Sequence, residues 1–163
     1  MRVPDLTEII AVERQAYPVP WSHGNFVDSL AAAYPAEVLR DARAAGVTQL
    51  VVTGASLQGS RDALELARAH PGVLFATAGV HPHHAADFDA DVEAALRESH
   101  VLPEVVAVGE TGLDYFRDFS PRAAQLFAFE RQLELAADCG KPLFLHQRDA
   151  HADFIACMDS VRG

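Results

Sequence analysis

Roughly half of a (β/α)8 barrel, an α/β fold, is what this sequence predicts after a helical opening segment. Strand-like and helix-like stretches alternate from about residue 37 onward. The strand-like runs are almost continuously apolar, as in a parallel sheet covered by helices on both faces or closed into a barrel. Four such runs fit into 163 residues, where a complete barrel typically takes about 250.

Residues 1–35 stand apart from that rhythm, and residues 36–163 follow it. In the opening segment, residues 5–17 read as an amphipathic helix with Leu6, Ile9, Ile10 and Ala16 on one side, broken at Pro18-Val19-Pro20. Ser22 is placed to cap a second short helix through Leu30. A helix over residues 36–45 ends at Gly46, which suits the left-handed position past a helix end. A strand over 47–53 follows, then a helix capped by Ser60, running through Leu64, Leu66 and Ala67 and stopped by Pro71-Gly72. The strand over 73–80 leads into His81-Pro82-His83-His84, and a helix over about 89–98 precedes the strand opened by Val105-Val106-Ala107-Val108. Ser120-Pro121 marks the clearest helix start, with Ser as cap and Pro at the first helical position. Leu126, Phe127, Phe129, Leu133 and Leu135 form its apolar stripe, and Gly140 ends it. Pro142-Leu143-Phe144-Leu145 forms the next strand, and a helix over about 150–161 closes the series.

A 50% hydrophobic composition supports one core, and no apolar run is long enough to suggest a membrane span. Asp5, Glu8 and Glu13 interrupt the N-terminus, so no secretory leader is expected and the cytoplasm is the expected address. The two cysteines, Cys139 and Cys157, are expected as free thiols in a reducing compartment. A net charge of −10 is the wrong sign for a broad cationic nucleic-acid surface. A chain of this charge acting on phosphodiesters needs bound metal to supply much of the attraction.

Glu110 and His146 are the strongest candidate site residues, because each follows an apolar strand run. A carboxylate in that position must be paired, solvated or metal-bound. Parallel strands delivering a Glu and a His to one face is how a barrel builds a metal site, which points to hydrolytic metal chemistry. His81 and His83 alternate on an extended segment and point the same way only if the turn at Pro82 bends them, so site lining and surface turn are both open. Asp114 either orients a ligand or caps the following turn, and Arg148 either forks a phosphate or clamps Asp114 or Asp149. His70, His84, His100 and His151 are assigned to solvent or helix ends. Phe116, Phe119, Phe127 and Phe129 raise base stacking, but the helical ones fall on the apolar stripe and core packing is expected.

Taken together, Thr77-Ala78-Gly79-Val80-His81-Pro82-His83, Val108-Gly109-Glu110-Thr111-Gly112-Leu113-Asp114-Tyr115 and Phe144-Leu145-His146-Gln147-Arg148-Asp149-Ala150 resemble the TatD family of metal-dependent deoxyribonucleases, in order and spacing. The resemblance covers about residues 37–163. It implies a TIM barrel of the metal-dependent hydrolase type, with one or two divalent ions (Mg²⁺, Mn²⁺ or Zn²⁺) at the carboxyl ends of the strands. It also implies hydrolysis of DNA, often from the 3′ end of a single strand. Glu110 and His146 then carry over as catalytic metal ligands, with His81, His83, Asp114 and Arg148 binding substrate or orienting ligands. The family's later His and Asp ligands would lie beyond Gly163, and its early His-x-His element has only His23-Gly24-Asn25 in its place, which makes His23 a further candidate ligand. The expectation is therefore an impaired nuclease or a remnant without catalysis, in a half-barrel whose open edge favours self-association, for instance as a homodimer rebuilding a pseudo-barrel.

Glu13-Arg14-Gln15-Ala16-Tyr17-Pro18-Val19-Pro20-Trp21-Ser22, with Asn25-Phe26-Val27-Asp28-Ser29-Leu30, is similar to the opening of bacterial ribosomal-protein alanine N-acetyltransferases of the GNAT family. The acetyl-CoA loop of that family is not found, so acetyl transfer is not expected. A joined or truncated gene product accounts for both resemblances.

Overall fold

The computed structural model describes residues 34–161. The two opening helices, His23 and the acetyltransferase-like stretch lie outside the described residues. The chain divides into two compact units, Met1–Thr48 and Gln49–Gly163. In the first, helix α1 spans Tyr34–Ala44. Gly46, at φ 86°, ends it as expected, its N–H donating to the Arg43 carbonyl while Val47 N–H returns to the Ala42 carbonyl.

The second unit alternates strand and helix throughout. Its elements are β1 (Leu50–Val52), α2 (Leu57–Ala69), β2 (Leu74–Ala78), a 3-10 turn (Pro82–Asp87), α3 (Ala90–Ser99), β3 (Val105–Asp114), α4 (Arg122–Cys139), β4 (Leu143–Arg148) and α5 (His151–Ser160). The four strands form one sheet in the order β1-β2-β3-β4, every pair parallel. This is the succession that builds a (β/α)8 barrel, carried halfway round. The sheet is curled. Glu110 N–H on β3 bonds the Gly54 carbonyl after β1 at 2.7 Å, reaching past β2 between them. At Gly79 a Cβ would meet the Gly109 Cα at 2.5 Å, so only glycine allows the strand ends to close this far.

In the second unit, α2 packs one face on β2 and α4 packs one face on β3. Ala63, Leu64 and Ala67 of α2 are buried, as are Leu74 and Ala76 of β2, and Phe129 and Leu133 of α4 join Leu113, Ala150 and Cys157 in one cluster. Each large buried side chain contributes about 1.5–3 kcal/mol over an exposed one. On β4 the pattern changes. Phe144 and Leu145 are 44% and 39% exposed there. Among the described residues, no helix is long and apolar enough to cross a membrane. Cys139 and Cys157 are free thiols.

Several local expectations are corrected. Strand β1 is shorter than residues 47–53. Helix α2 is capped by Ser56, whose oxygen accepts Gly59 N–H at 3.1 Å, whereas Ser60 is buried one turn inside and bonds the backbone of Gly79. Ser60 faces the sheet, so its hydroxyl serves a strand end instead of a helix end. Likewise Pro121, not Ser120, holds the cap position of α4, and it makes no side-chain cap bond. Phe127 lies off the buried stripe at 52% exposure, and Phe116 and Phe119 are 58% and 65% exposed, so of the aromatic group only Phe129 is core. His100 does sit at the end of α3, but it is buried, not solvated.

The buried face of α4 carries two glutamines. Gln132 accepts Val80 N–H at 2.8 Å and donates to the Val80 and Ala128 carbonyls. Gln125 accepts Asp114 N–H at 2.9 Å and donates to the carbonyls of Asp114 and Ser120. Each thus mimics a strand edge and fixes the backbone just before His81 or at Asp114. Gln132→Leu would strand both Val80 polar groups in the interior, and denaturant unfolding is expected to show a loss of roughly 2–3 kcal/mol. A change below about 0.5 kcal/mol, the usual scatter of a neutral surface substitution, would contradict this clamp.

His100 donates Nε2–H to the Ala78 carbonyl at 3.0 Å, while its buried Nδ1 has no partner. Burial, offset in part by the Ala78 bond and reinforced by the Lys141 ammonium, lowers its pKa to about 4. The native state therefore holds His100 neutral, and the unfolded chain takes up its proton first as pH falls. Its contribution is complete above pH 6.5 and is lost as pH falls from there to about 4, on the order of 3 kcal/mol in all. Unfolding free energies at pH 7 and pH 4 should differ by less in His100→Gln than in the unsubstituted chain. An identical difference in both would contradict the assignment.

Candidate metal centre

His81 follows β2, and Pro82 opens a 3-10 turn that folds His83 back beside it. Their rings lie edge to face with centroids 4.3 Å apart, so the turn supplies the bend that brings both histidines to one side. His83 N–H donates to His81 Nδ1 at 3.1 Å. Ser120 pins the same turn from the start of α4: its hydroxyl accepts Ala86 N–H and donates to the His83 carbonyl.

Glu110 lies within β3, not at its end, because the strand runs on to Asp114. What turns Glu110 toward the site is a slip in register against β4 between Val108 and Thr111. Gly109, at φ 136°, precedes it, and the Gly109–Glu110 peptide is cis. His146 sits inside β4, opposite Gly112. Gly112 has φ 145°, and a Cβ there would fall 1.9 Å from the His146 carbonyl oxygen. The close approach of β3 to β4 at His146 therefore requires glycine.

These placements converge. His146 Nδ1 lies 3.2 Å from Glu110 Oε1, and His146 Nε2 lies 3.3 Å from Asp114 Oδ2. His83 Nε2 shares the same Asp114 oxygen at 2.8 Å. His81 Nε2 is 3.8 Å from Glu110 Oε1. Ligand atoms of His81, Glu110 and His146 all lie within 4.8 Å of one another.

Asp114 is 1% exposed. Burial alone would raise its pKa, but the Arg117 N–H and the rings of His83 and His146 outweigh it and hold the carboxyl at about 2. An ionised carboxylate only accepts, so both histidines present Nε2–H to it. In the neutral ring, His146 Nδ1 then turns a lone pair toward Glu110 Oε1. Two acceptors 3.2 Å apart need a proton or a cation between them. Metal–nitrogen and metal–oxygen bonds of about 2 Å put neighbouring donors roughly 3 Å apart, so the pair fits a shared divalent ion. His81 differs. Burial, with His146 and His83 nearby, lowers its pKa to about 4, and its Nδ1 already accepts from His83. The neutral ring then points Nε2–H toward Glu110, and it can give a lone pair to an ion at Nε2 only by releasing the His83 bond.

Asp114 caps the following turn, its Oδ1 accepting the N–H groups of Phe116 and Arg117, while its Oδ2 lies against the rings of His83 and His146. Arg148 clamps neither carboxylate. Its guanidinium lies 3.8 Å over the Phe116 ring, and among the described residues it makes no ion pair with Asp114 or Asp149. The positioning roles of Gln125, Gln132 and Ser120 were missed. A polar residue repeating at i and i+7 within the apolar face of α4 was the available signal for the glutamines.

The family profile described as TatD related DNase matches residues 22–163, beginning inside the stretch set apart as acetyltransferase-like. A curated relative, the 3′-5′ ssDNA/RNA exonuclease TatD of Pantoea vagans, is 46% identical over 76% of this chain and 47% of its own length. The protein of the same name from Edwardsiella piscicida is 52% identical over 75% of this chain and 47% of its own. Among solved structures, YJJV, a TatD homologue from Escherichia coli K12, superposes with a TM-score of 0.70 at 28% identity, over 79% of this chain and 51% of that one. The chain spans about half the length of the curated relatives it matches. With its half-barrel fold and the match of the family profile over most of its length, the chain belongs to the family of TatD-related DNases.

Proposed function

We propose that these residues form part of the active centre of a metal-dependent nuclease hydrolysing phosphodiester bonds of single-stranded DNA or RNA from the 3′ end, in the cytoplasm. The observation that carries the reading is the facing pair of acceptors, His146 Nδ1 and Glu110 Oε1, 3.2 Å apart and within reach of His81. One or two divalent ions, Mg²⁺, Mn²⁺ or Zn²⁺, would be held by Glu110 and His146. Such an ion supplies an activated water at neutral pH and neutralises charge on the phosphate.

The chain's own groups do the rest. Asp114 fixes the His146 ring so that Nδ1, not Nε2, faces Glu110, and it aims His83 by the same oxygen. His81 offers its Nε2–H to a phosphate oxygen beside Glu110, and His83 and Arg148 border the path of the substrate. The ions also answer the charge problem, since a net charge of −10 repels a polyanion. Self-association through β4, where Phe144 and Leu145 are exposed, would place further strand ends beside the site.

Hydrolysis of a 3′-labelled single-stranded oligonucleotide in Mn²⁺ or Mg²⁺ tests the reading. Cleavage is expected to fall to background in Glu110→Gln and His146→Ala, and by about 10–100-fold in Asp114→Asn. Cleavage by the unsubstituted chain no faster than by Glu110→Gln would refute it.

A further inference from the structure

The loop between β3 and α4 carries two large aromatic side chains that the fold does not use. Phe116 and Phe119 are 58% and 65% exposed, three positions apart on one short loop, whereas the interior aromatic Phe129 is fully buried. Single exposed apolar residues are ordinary, but a cluster beside a site is not. Each ring is braced on one side. Arg148 lies 3.8 Å over Phe116, and Phe119 rests against the His83 ring with centroids 4.7 Å apart. The Arg117 guanidinium is 6.0 Å from the Phe119 centroid. The loop is also held in place by the site itself, because Asp114, which orients His83 and His146, accepts the backbone N–H groups of Phe116 and Arg117.

We infer that Phe116 and Phe119 form a stacking ledge for the bases of a single-stranded polynucleotide, with Arg117 and Arg148 meeting its phosphates, immediately beside the candidate metal centre. This rests on the nuclease reading only for the direction in which the strand leaves the site. The charge pattern selects the occupant. In a chain carrying ten more acidic than basic side chains, two arginines gathered on exposed aromatic rings form a local match for a polymer of flat bases and anionic phosphates. An apolar peptide would leave those guanidinium groups without partners, and a duplex keeps its base faces stacked and out of reach. Because every base has a π face, the ledge tolerates any sequence and needs an unpaired strand.

Binding of two octamers to the purified chain in Ca²⁺, followed by fluorescence anisotropy, tests this. One is octathymidylate, and the other carries the same phosphates on abasic sugars. The unsubstituted chain is expected to prefer octathymidylate by about tenfold or more, a preference that shrinks toward unity in Phe119→Ala and Phe116→Ala and persists in Phe119→Tyr. Both rings are exposed, so the alanine variants keep the fold, which a thermal melt verifies. An unchanged preference in the alanine variants, no preference in the unsubstituted chain, or no binding of either octamer would overturn the ledge. The hydrolysis assay separates the two claims. Base preference without Glu110-dependent cleavage keeps the ledge and removes the nuclease reading, and cleavage without base preference does the reverse.

Discussion

The slip in pairing between β3 and β4 is the constraint on which the candidate site depends. With regular pairing from Val108 through Thr111, Glu110 would keep its place in the ladder and its N–H would serve the neighbouring strand. Instead that N–H crosses to Gly54, and the carboxylate meets His146 Nδ1. Glycines at 109 and 112 permit the departure, since both adopt φ values that side chains resist and both lie against β4 backbone where a Cβ has no room. The deviation is local. From Thr111 to Asp114 the two strands pair again in a single register, which brings Asp114 and Arg148 level.

A second layer holds this arrangement rigid. Asp114 is nearly inaccessible and accepts on both oxygens, so one carboxylate sets the orientation of two histidines and the start of the β3–α4 loop. Gln125 and Gln132 fasten the backbone behind Asp114 and His81, and Ser120 fastens the turn carrying His83. Buried polar groups of this kind are costly unless fully paired. Here each finds partners, and together they fix the spacing of Glu110, His146 and His81 from outside the site.

How much of this could be read from the sequence follows from what each residue does. The βα rhythm, Gly46 and the apolar strands were legible because periodicity and helix-end chemistry are local. Glu110 and His146 were legible because a charged or imidazole side chain within apolar strand runs has few bland explanations. The slip that moves Glu110 from a strand end to a strand interior was not, because register is a property of two strands at once. Ser60 and Ser120 misled for a related reason: a serine near a helix start caps it only if no nearby backbone group needs the hydroxyl more, and here Gly79 and His83 do. Phe116, Phe119 and Phe127 misled by composition, since aromatic residues are usually interior and only the packing of α4 and the loop shows these three outside.

The central claim is that Glu110 and His146 hold a divalent ion between them. Isothermal titration of Mn²⁺ into the metal-free chain, beside Glu110→Gln and His146→Ala, addresses it without reference to any substrate. Saturable binding that is lost or greatly weakened in both variants, with folding unchanged by circular dichroism, is the predicted result. Binding of equal affinity in all the proteins, or none in the unsubstituted chain, would show that the facing lone pairs are bridged by a proton and that the pair is not a metal site.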